Sequence, residues 1–268
     1  MSTKNLEFAV QRTAVCGVIA VFGNSAKSFK RHTHDEFGIG TIDHGAQVSA
    51  SGRGAVEAIK GDLITVNPNE VHDGIPIRSE RRTWRMLYLA PKLVTDVVSE
   101  ITGSRKDAAE LAFPVLQRTS AKEAFEALYC VATSPSDIAL HHWEERLLTL
   151  MVELVDGYTP RVANTLPNAI LQVRQRIDND PSDPASLGQL AFEVGISRFE
   201  LVRTFTRHIG LPPHAYRVQK RVHLARRLIL AGQPLSAAAA TAGFSDQSHM
   251  TRALTRAYGP TPAAFARA

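Results

Sequence analysis

The sequence predicts an α+β protein of two domains, an antiparallel β-barrel or sandwich followed by an all-helical domain. Short β-type runs between Gly- and Pro-containing turns occupy residues 15–90. After residue 91 the apolar residues recur at three- and four-residue spacing, as they do in amphipathic helices. A length of 268 residues is sufficient for two domains that each bury a core.

Six runs carry the β prediction, because strands of an antiparallel sheet are short, rich in β-branched residues and bounded by turn residues. Their spacing of 8–12 residues is typical of a barrel or a sandwich. The predicted strands are residues 15–22, 37–42, 47–51, 55–59, 63–66 and 83–89.

Helices that flank this β region are predicted at residues 93–101, 121–132 and 138–155. Such helices can pack on the side of the barrel or against a second subunit, and the long stripe of the third favours a homodimer. The stripe consists of Leu140, Trp143, Leu147, Leu150 and Leu154.

A domain boundary is predicted near residues 161–166, where a helix stop precedes polar residues and proline. The two predicted domains are then residues 1–163 and residues 164–268. The C-terminal part from residue 165 carries 13 Lys and Arg against six Asp and Glu, a net charge of +7, whereas the whole chain has +5. This asymmetry indicates a polyanionic partner for the C-terminal domain, although charge alone fits a solvated basic surface equally well.

Composition excludes several classes of protein. The hydrophobic fraction of 44% and charged fraction of 21% are those of an ordinary globular protein. Cys16 and Cys130 have no CxxC spacing, so neither a disulfide framework nor a zinc finger is predicted. No apolar run is long enough for a membrane span and the N-terminus does not resemble a signal peptide, so a cytoplasmic protein without a membrane partner is expected.

One local pattern occurs twice between residues 187 and 258, and each copy predicts a helix, a tight turn and a second helix. Gly195 and Gly243 are 48 residues apart, whereas Arg203 and Arg252 are 49 apart. The second copy therefore has one extra residue between its turn and its second helix. A helix-turn-helix needs a small residue where the helices cross and a glycine in the turn, and both copies supply them.

The second helix of each copy is expected to begin at a serine cap, Ser197 in the first copy and Ser245 in the second. The outward faces of these helices carry side chains that suit the major groove, since Arg pairs with guanine, Gln with adenine and apolar groups with the thymine methyl. The predicted DNA-binding residues are Phe199, Val202, Arg203, Arg207, Gln247, Ser248, Thr251, Arg252 and Arg256.

A single match of this kind is weak, because helical hairpins with alanine and glycine are common. Two matches, joined by a basic helix at residues 212–231 within a domain of charge +7, favour a nucleic-acid-binding domain. The region resembles the AraC/XylS family of bacterial transcription regulators. The similarity is carried by Gly195-Ile-Ser197, Arg203-x-Phe205, Gly210-x-x-Pro213, Tyr216, Arg221, Gly243-Phe-Ser-Asp-Gln-Ser-His249, Arg252, Gly259-x-x-Pro262 and Phe265.

The resemblance implies that two helix-turn-helix units joined by a long helix enter successive major grooves of double-stranded promoter DNA. It implies RNA polymerase as a further partner, usually for activation of transcription, and no enzymatic activity. The alanine run at 237–240 departs from the family pattern, in which larger apolar residues usually stand.

Histidines form the second informative group. His32-Thr33-His34-Asp35-Glu36 and His72 resemble the two motifs of the cupin barrel, here expected in its jelly-roll-like form. His-x-His on a strand places two imidazoles on one face, and a third histidine from a neighbouring strand would complete a metal site. However, Glu36 follows His34 more closely than metal-binding cupins require, and the related regulators commonly have this barrel without a metal.

Three interpretations of the histidines remain open: a small-molecule pocket, a metal site and structural hydrogen bonding. The pocket is favoured, with no metal and no cofactor, and it suits a sugar, an amino acid or an organic acid. The expected effector-binding residues are His32, His34, Glu36, His72 and Trp84.

The sequence therefore predicts a DNA-binding transcription regulator controlled by a small polar effector. The alternative is a cupin metalloenzyme, an oxygenase or isomerase, with a DNA-binding tail. A third possibility is a helical tail for protein contacts, which would have no affinity for DNA at low salt.

Overall fold

The computed structural model describes residues 7–51, 53–103, 109–134, 142–155 and 166–268. The chain divides into two compact units, Met1–Pro160 and Arg161–Arg267. The boundary predicted between residues 163 and 164 lies outside the described residues and stays a prediction. The described part of the first unit contains strands followed by helices, and that of the second unit is helical, which confirms the predicted α+β class.

The strands of the first unit form two antiparallel sheets. Sheet A has the order β1-β2-β9-β4-β7-β10 and sheet B the order β3-β8-β5-β6. No described strand pairs across from one sheet to the other, so the β region has the sandwich form of the prediction. The strands are β1 (Phe8–Arg12), β2 (Val18–Ser25), β3 (Phe29–His32), β4 (Phe37–His44), β5 (Ala46–Ser51), β6 (Gly54–Ile59), β7 (Leu63–Val66), β8 (His72–Pro76), β9 (Arg82–Leu89) and β10 (Val115–Leu116).

The six predicted runs correspond to β2, β4, β5, β6, β7 and β9, whereas four strands were not predicted. Two of these, β3 and β8, pair with each other and carry histidines. Their sequences, Phe-Lys-Arg-His and His-Asp-Gly-Ile-Pro, are too short and too polar to show the apolar alternation of a half-buried strand.

Three helices of the first unit are described: α1 (Pro91–Thr102), α2 (Thr119–Thr133) and α3 (Trp143–Val155). The predicted stripe of α3 is buried within the unit's own apolar core, where Trp143, Leu147, Leu150 and Leu154 are at most 5% exposed. Leu140 lies outside the described residues. The stripe therefore stabilises the packing of α3 inside its own unit and is not available to a second subunit.

The two faces of β9 have different surroundings, because successive side chains of a strand point to opposite sides. Leu87 and Leu89 belong to the apolar core that α1, α2 and α3 complete. Trp84 and Tyr88 point to the other side, where Trp84 contacts the β3 phenylalanine and Tyr88 contacts His34. His34 therefore lies on the side of sheet A that faces sheet B.

The second unit consists of seven helices in the described residues 166–268: α4 (Asn168–Asn179), α5 (Leu187–Glu193), α6 (Arg198–Ile209), α7 (Pro213–Leu230), α8 (Leu235–Thr241), α9 (Gln247–Tyr258) and α10 (Pro262–Arg267). The long connecting helix expected at residues 212–231 is α7. Within the described residues, none of the helices is both long and apolar enough to span a bilayer.

Candidate nucleic-acid interface and ligand site

Both predicted helix-turn-helix units are present in the second unit and have the same dimensions. The pairs are α5 with α6 and α8 with α9; the first helix of each pair has seven residues and the second has 12. Gly195 and Gly243 occupy the turns with φ of 68° and 78°, in the left-handed region that favours glycine. The sequence repeat is therefore a structural repeat.

The caps of the two second helices differ. Ser197 caps α6 by accepting a hydrogen bond from the backbone N–H of Glu200 at 3.1 Å, as predicted. Ser245 does not cap α9, so that prediction was wrong. Asp246 takes this position and accepts from the backbone N–H of His249 at 2.7 Å.

The extra residue of the second copy explains this difference. Because it lies between the turn and the helix, the cap position moves from the serine to the residue that follows it. Ser245 instead supports the cap, since its Oγ donates to Asp246 Oδ2 at 3.1 Å. The pKa of the Asp246 carboxyl is lowered, chiefly by the hydrogen bond from the backbone of His249 and least by nearby Arg252.

The inner faces of both units are apolar, as a helix-turn-helix requires. In the first, Leu190 and Ala191 of α5 are buried with Leu201 and Phe205 of α6. In the second, the buried residues are Ala238, Ala239, Ala242, Phe244, Met250 and Leu254. The alanine run thus places small side chains at the core of the second unit.

The outer faces of α6 and α9 carry the predicted DNA-binding side chains. Phe199 is 77% exposed. Arg203, Arg207 and Arg256 form no ion pair with any residue that the structure describes. The exposed members of the predicted set are Phe199, Arg203, Arg207, Gln247, Ser248, Arg252 and Arg256, and the half-buried members are Val202 and Thr251.

Arginines repeat at two outward positions, because Arg203 corresponds to Arg252 and Arg207 to Arg256 at an offset of 49 residues. Each pair is four residues apart on its helix and so lies on one face. Two other outward positions change chemistry between the copies, from Phe199 to Ser248 and from Val202 to Thr251. The two helices therefore present related but different surfaces.

The basic residues of the connecting helix α7 mostly hold the second unit together. Arg217 donates to the carbonyl of Ala185 at 2.6 Å, and Lys220 pairs with Asp178 at 2.9 Å. Arg226 is 1% exposed, with its guanidinium 4.7 Å from the ring centre of Tyr258. The charge count of the sequence therefore overstates the positive surface of α7.

The three histidines of the first unit converge between the sheets. His32 ends β3 and His72 begins β8, and they are partners in the strand register. His34 follows β3 and contacts both, with ring centres 4.8 Å from His32 and 5.0 Å from His72. All three are buried, and their candidate ligand nitrogens lie within 4.8 Å of one another.

His32 and His72 are oriented by the same local device. The Nδ1 of His32 lies 2.7 Å from the carbonyl oxygen of Lys30, and the Nδ1 of His72 lies 3.0 Å from that of Glu70. A carbonyl oxygen can only accept, so each Nδ1 carries the proton. Burial lowers the pKa of His72, which outweighs the opposite effects of Glu70 and Asp73.

The remaining two predicted effector residues are not among the three converging histidines. Glu36 is half-buried and does not belong to the group of converging ligand atoms. Trp84 is linked to the cluster through Phe29, whose ring centre lies 6.0 Å from Trp84 and 6.1 Å from His32. The structure thus brings three of the five predicted residues together.

Arg82 is a feature of this region that sequence reasoning missed. It is 2% exposed and donates to Gln47 Oε1 at 2.8 Å and to two backbone carbonyls. Its guanidinium lies 4.8 Å from the Trp84 ring, and it has no carboxylate partner among the described residues. Burial lowers the pKa of Arg82 to about 10. Its even spacing from Trp84 and Tyr88 on one strand was the available signal.

The family model described as the AraC-like ligand binding domain matches residues 16–155, more than half of the chain. This chain belongs to the AraC family of transcriptional regulators. A second family model, described as a helix-turn-helix domain, matches residues 190–268 of this AraC-family regulator. The predicted AraC/XylS resemblance is thereby confirmed, together with a ligand-binding and a helix-turn-helix DNA-binding domain.

Curated relatives cover most of this AraC-family regulator. The HTH-type transcriptional regulator YbfI of Bacillus subtilis (strain 168) is 29% identical over 234 residues, which cover 85% of this chain and 84% of YbfI. The HTH-type transcriptional activator RhaS of Pectobacterium carotovorum is 22% identical over 244 residues, covering 88% of this chain and 86% of RhaS.

Solved structures of ToxT from Vibrio cholerae share the fold of the AraC-family chain. An apo ToxT structure from strain SCE256 has a TM-score of 0.61 at 12% identity and covers 96% of this chain and 99% of ToxT. A structure of ToxT with a bound unsaturated fatty acid has a TM-score of 0.57 at 12% identity, covering 98% of this chain and 95% of ToxT.

Proposed function

We propose that this AraC-family regulator binds double-stranded promoter DNA with α6 and α9 as its two recognition helices. The observation that carries this proposal is the structural repeat, in which two arginine pairs stand at corresponding outward positions of two equal helices. Helices of this kind fit the major groove of B-DNA. The proposed DNA contacts are Phe199, Val202, Arg203, Arg207, Gln247, Ser248, Thr251, Arg252 and Arg256.

The chemistry of these side chains divides them by role. Arg203 and Arg252 suit bidentate pairing with guanine, and Gln247 suits adenine. Arg207 and Arg256 lie one turn further along each helix and suit phosphate oxygens, which position the protein without reading sequence. Because the remaining outward positions differ between the copies, the two helices would recognise two different half-sites.

The effector is proposed to bind on the side of sheet A that faces sheet B, in contact with His32, His34, Glu36, His72 and Trp84. Buried Arg82 supports an organic acid among the candidate classes, because a buried cation without a carboxylate partner favours an anionic ligand. ToxT of the same fold was solved with a bound unsaturated fatty acid and with (E)-4-(8-methylnaphthalen-1-yl)but-3-enoic acid, both carboxylic acids.

Residues 1–163 are proposed as the effector-binding and dimerisation domain, and residues 164–268 as the DNA-binding domain. A homodimer is supported by the outer face of α3, where the apolar side chains of Leu148 and Val152 are 36% and 49% exposed at a spacing of four residues. Activation of transcription through RNA polymerase is proposed by analogy with RhaS, whose name describes an activator. The protein would act in the cytoplasm, where bacterial promoter DNA lies, and without enzymatic turnover.

Footprinting on DNA next to the gene tests this function, with sugars, amino acids and organic acids added in turn. We expect protection of two adjacent major-groove segments and an effect of one class of organic acid. Binding should weaken steeply with added salt, because Lys and Arg that neutralise phosphates release counterions. Absence of DNA affinity at low salt would refute the proposal, and turnover that chelators abolish would favour the metalloenzyme instead.

A further inference from the structure

The three converging histidines have the composition of a metal site. His32, His34 and His72 are 6%, 3% and 8% exposed, and each offers one nitrogen to a group whose atoms lie within 4.8 Å of one another. Imidazole is a good ligand for zinc, copper, nickel and ferrous iron. No other group of this kind is found in the described parts of the chain.

The orientation of the rings favours coordination through Nε2. Since Nδ1 of His32 and of His72 carries its proton toward a backbone carbonyl, the lone pair of each neutral ring is on Nε2. Metal-binding histidines are commonly oriented in this way, with the second ring nitrogen donating to a carbonyl or carboxylate. Both carbonyls lie two residues before their histidine, so the strands themselves set the ring positions.

Burial and spacing agree with a small cation. Three buried imidazoles whose candidate ligand nitrogens lie within 4.8 Å of one another suit a shared small cation. Around a tetrahedral ion with metal–nitrogen bonds of about 2.0–2.1 Å, ligand nitrogens are roughly 3.4 Å apart. The candidate ligand nitrogens all lie within 4.8 Å of one another, so binding of the ion would draw them closer together.

We propose that His32, His34 and His72 bind a divalent transition-metal ion, with zinc as the best fit, through three nitrogen ligands. Three protein ligands leave a position open, as in sites whose metal also binds water or another small ligand. The proposal deepens the proposed function and rests on its effector site, because His32, His34 and His72 are among the proposed effector contacts; DNA binding by α6 and α9 does not depend on it. It also replaces the expectation of a metal-free pocket that was drawn from the position of Glu36.

Equilibrium dialysis of untagged full-length protein, stripped with a chelator and then exposed to Zn²⁺, tests the site. We expect one ion per chain for the wild type and a loss of at least about tenfold in affinity for His32→Gln, His34→Gln and His72→Gln, since even second-shell changes cost 10–100-fold. His44→Gln is the matched control, because His44 is an exposed histidine at the end of β4. It should bind like the wild type.

Two further measurements keep the outcome decisive. Circular dichroism of the stripped variants should match that of the stripped wild type, which shows that they fold. The visible spectrum of Co²⁺-loaded wild-type protein should show nitrogen ligation, and this measurement needs no variant. Failure of the wild type to bind Zn²⁺, a Co²⁺ spectrum equal to that of the aqueous ion, or equal loss in His44→Gln would overturn the proposal. If promoter DNA is still bound in that case, the proposed function survives and only the metal site is refuted.

Discussion

At the scale of single residues, the two turn glycines are constrained to different degrees. Both have positive φ, which costs most other residues about 1–2 kcal/mol. A Cβ atom at Gly195 would meet nothing within 4 Å, whereas one at Gly243 would lie 2.9 Å from the Cα of Ser182. The second turn therefore requires glycine for two reasons, its positive φ and the close approach of the backbone at residue 182.

This difference predicts the outcome of a matched pair of substitutions. Gly195→Ala should reduce the free energy of unfolding by about 1–2 kcal/mol, from backbone conformation alone. Gly243→Ala should cost clearly more, because the added methyl group overlaps backbone at 182. Urea denaturation followed by circular dichroism measures both, and an equal or larger loss for Gly195→Ala would contradict the described packing.

The exposure of individual arginines could not be predicted from the sequence. The charge of the C-terminal part predicted a polyanion partner, but counting charges cannot separate Arg203, which faces outward, from Arg226, which is buried between aromatic rings. Arg82 escaped notice for the same reason, because its burial depends on the way β9 faces sheet B. Exposure is a property of packing and is only partly encoded in local pattern.

At the scale of elements, the start of α9 is set by one inserted residue. Because the cap moves to Asp246, the helix begins after the aspartate and keeps the length of α6. Asp246→Ala should lower the melting temperature more than Ser245→Ala does, since only the former leaves the backbone N–H of His249 without its acceptor. Asp246→Asn, which retains an acceptor oxygen, should recover most of the loss. A larger loss for Ser245→Ala than for Asp246→Ala would show that Ser245 is the cap of α9.

Helix α3 offers a second test at this scale, through two adjacent leucines. Leu147 is 2% exposed in the apolar core, and Leu148 is 36% exposed. Leu147→Ala should reduce the free energy of unfolding by about 2–5 kcal/mol. Leu148→Ala should change the free energy of unfolding, measured at low protein concentration, by no more than about 0.5 kcal/mol. Comparable losses would show that the assigned inner and outer faces of α3 are wrong.

Elements were predictable where their apolar period was long and clear. The strand at residues 63–66 and the connecting helix at residues 212–231 have the predicted extents to within one residue at each end. The strand β3 was not predicted because it has only four residues and its two middle residues, Lys30 and Arg31, are exposed and charged. Its pairing with β8 joins residues 40 positions apart, which no local pattern records.

At the scale of the whole molecule, the chain combines a sandwich that gathers three histidines with a helical unit that repeats one motif. The helical unit was predictable from the sequence, because the repeated motif appears as a nearly constant spacing between matching residues. The histidines were predicted as candidate site residues. Their close grouping was not predictable, because the order of strands in the sheet places β3 beside β8. Family membership now rests on the match of the ligand-binding domain to residues 16–155.

One chain is proposed to read two different half-sites, one through Arg203 and the other through Arg252. Competition binding to a footprinted site, with every base pair substituted in turn, tests it directly. Arg203→Ala and Arg252→Ala should each lose about 1–3 kcal/mol and relax preference at one base pair, with the two positions in separate half-sites. Arg31→Ala, an exposed arginine of the first unit, should bind as the wild type does. Uniform weakening on all sequences would show phosphate contacts instead and contradict the account.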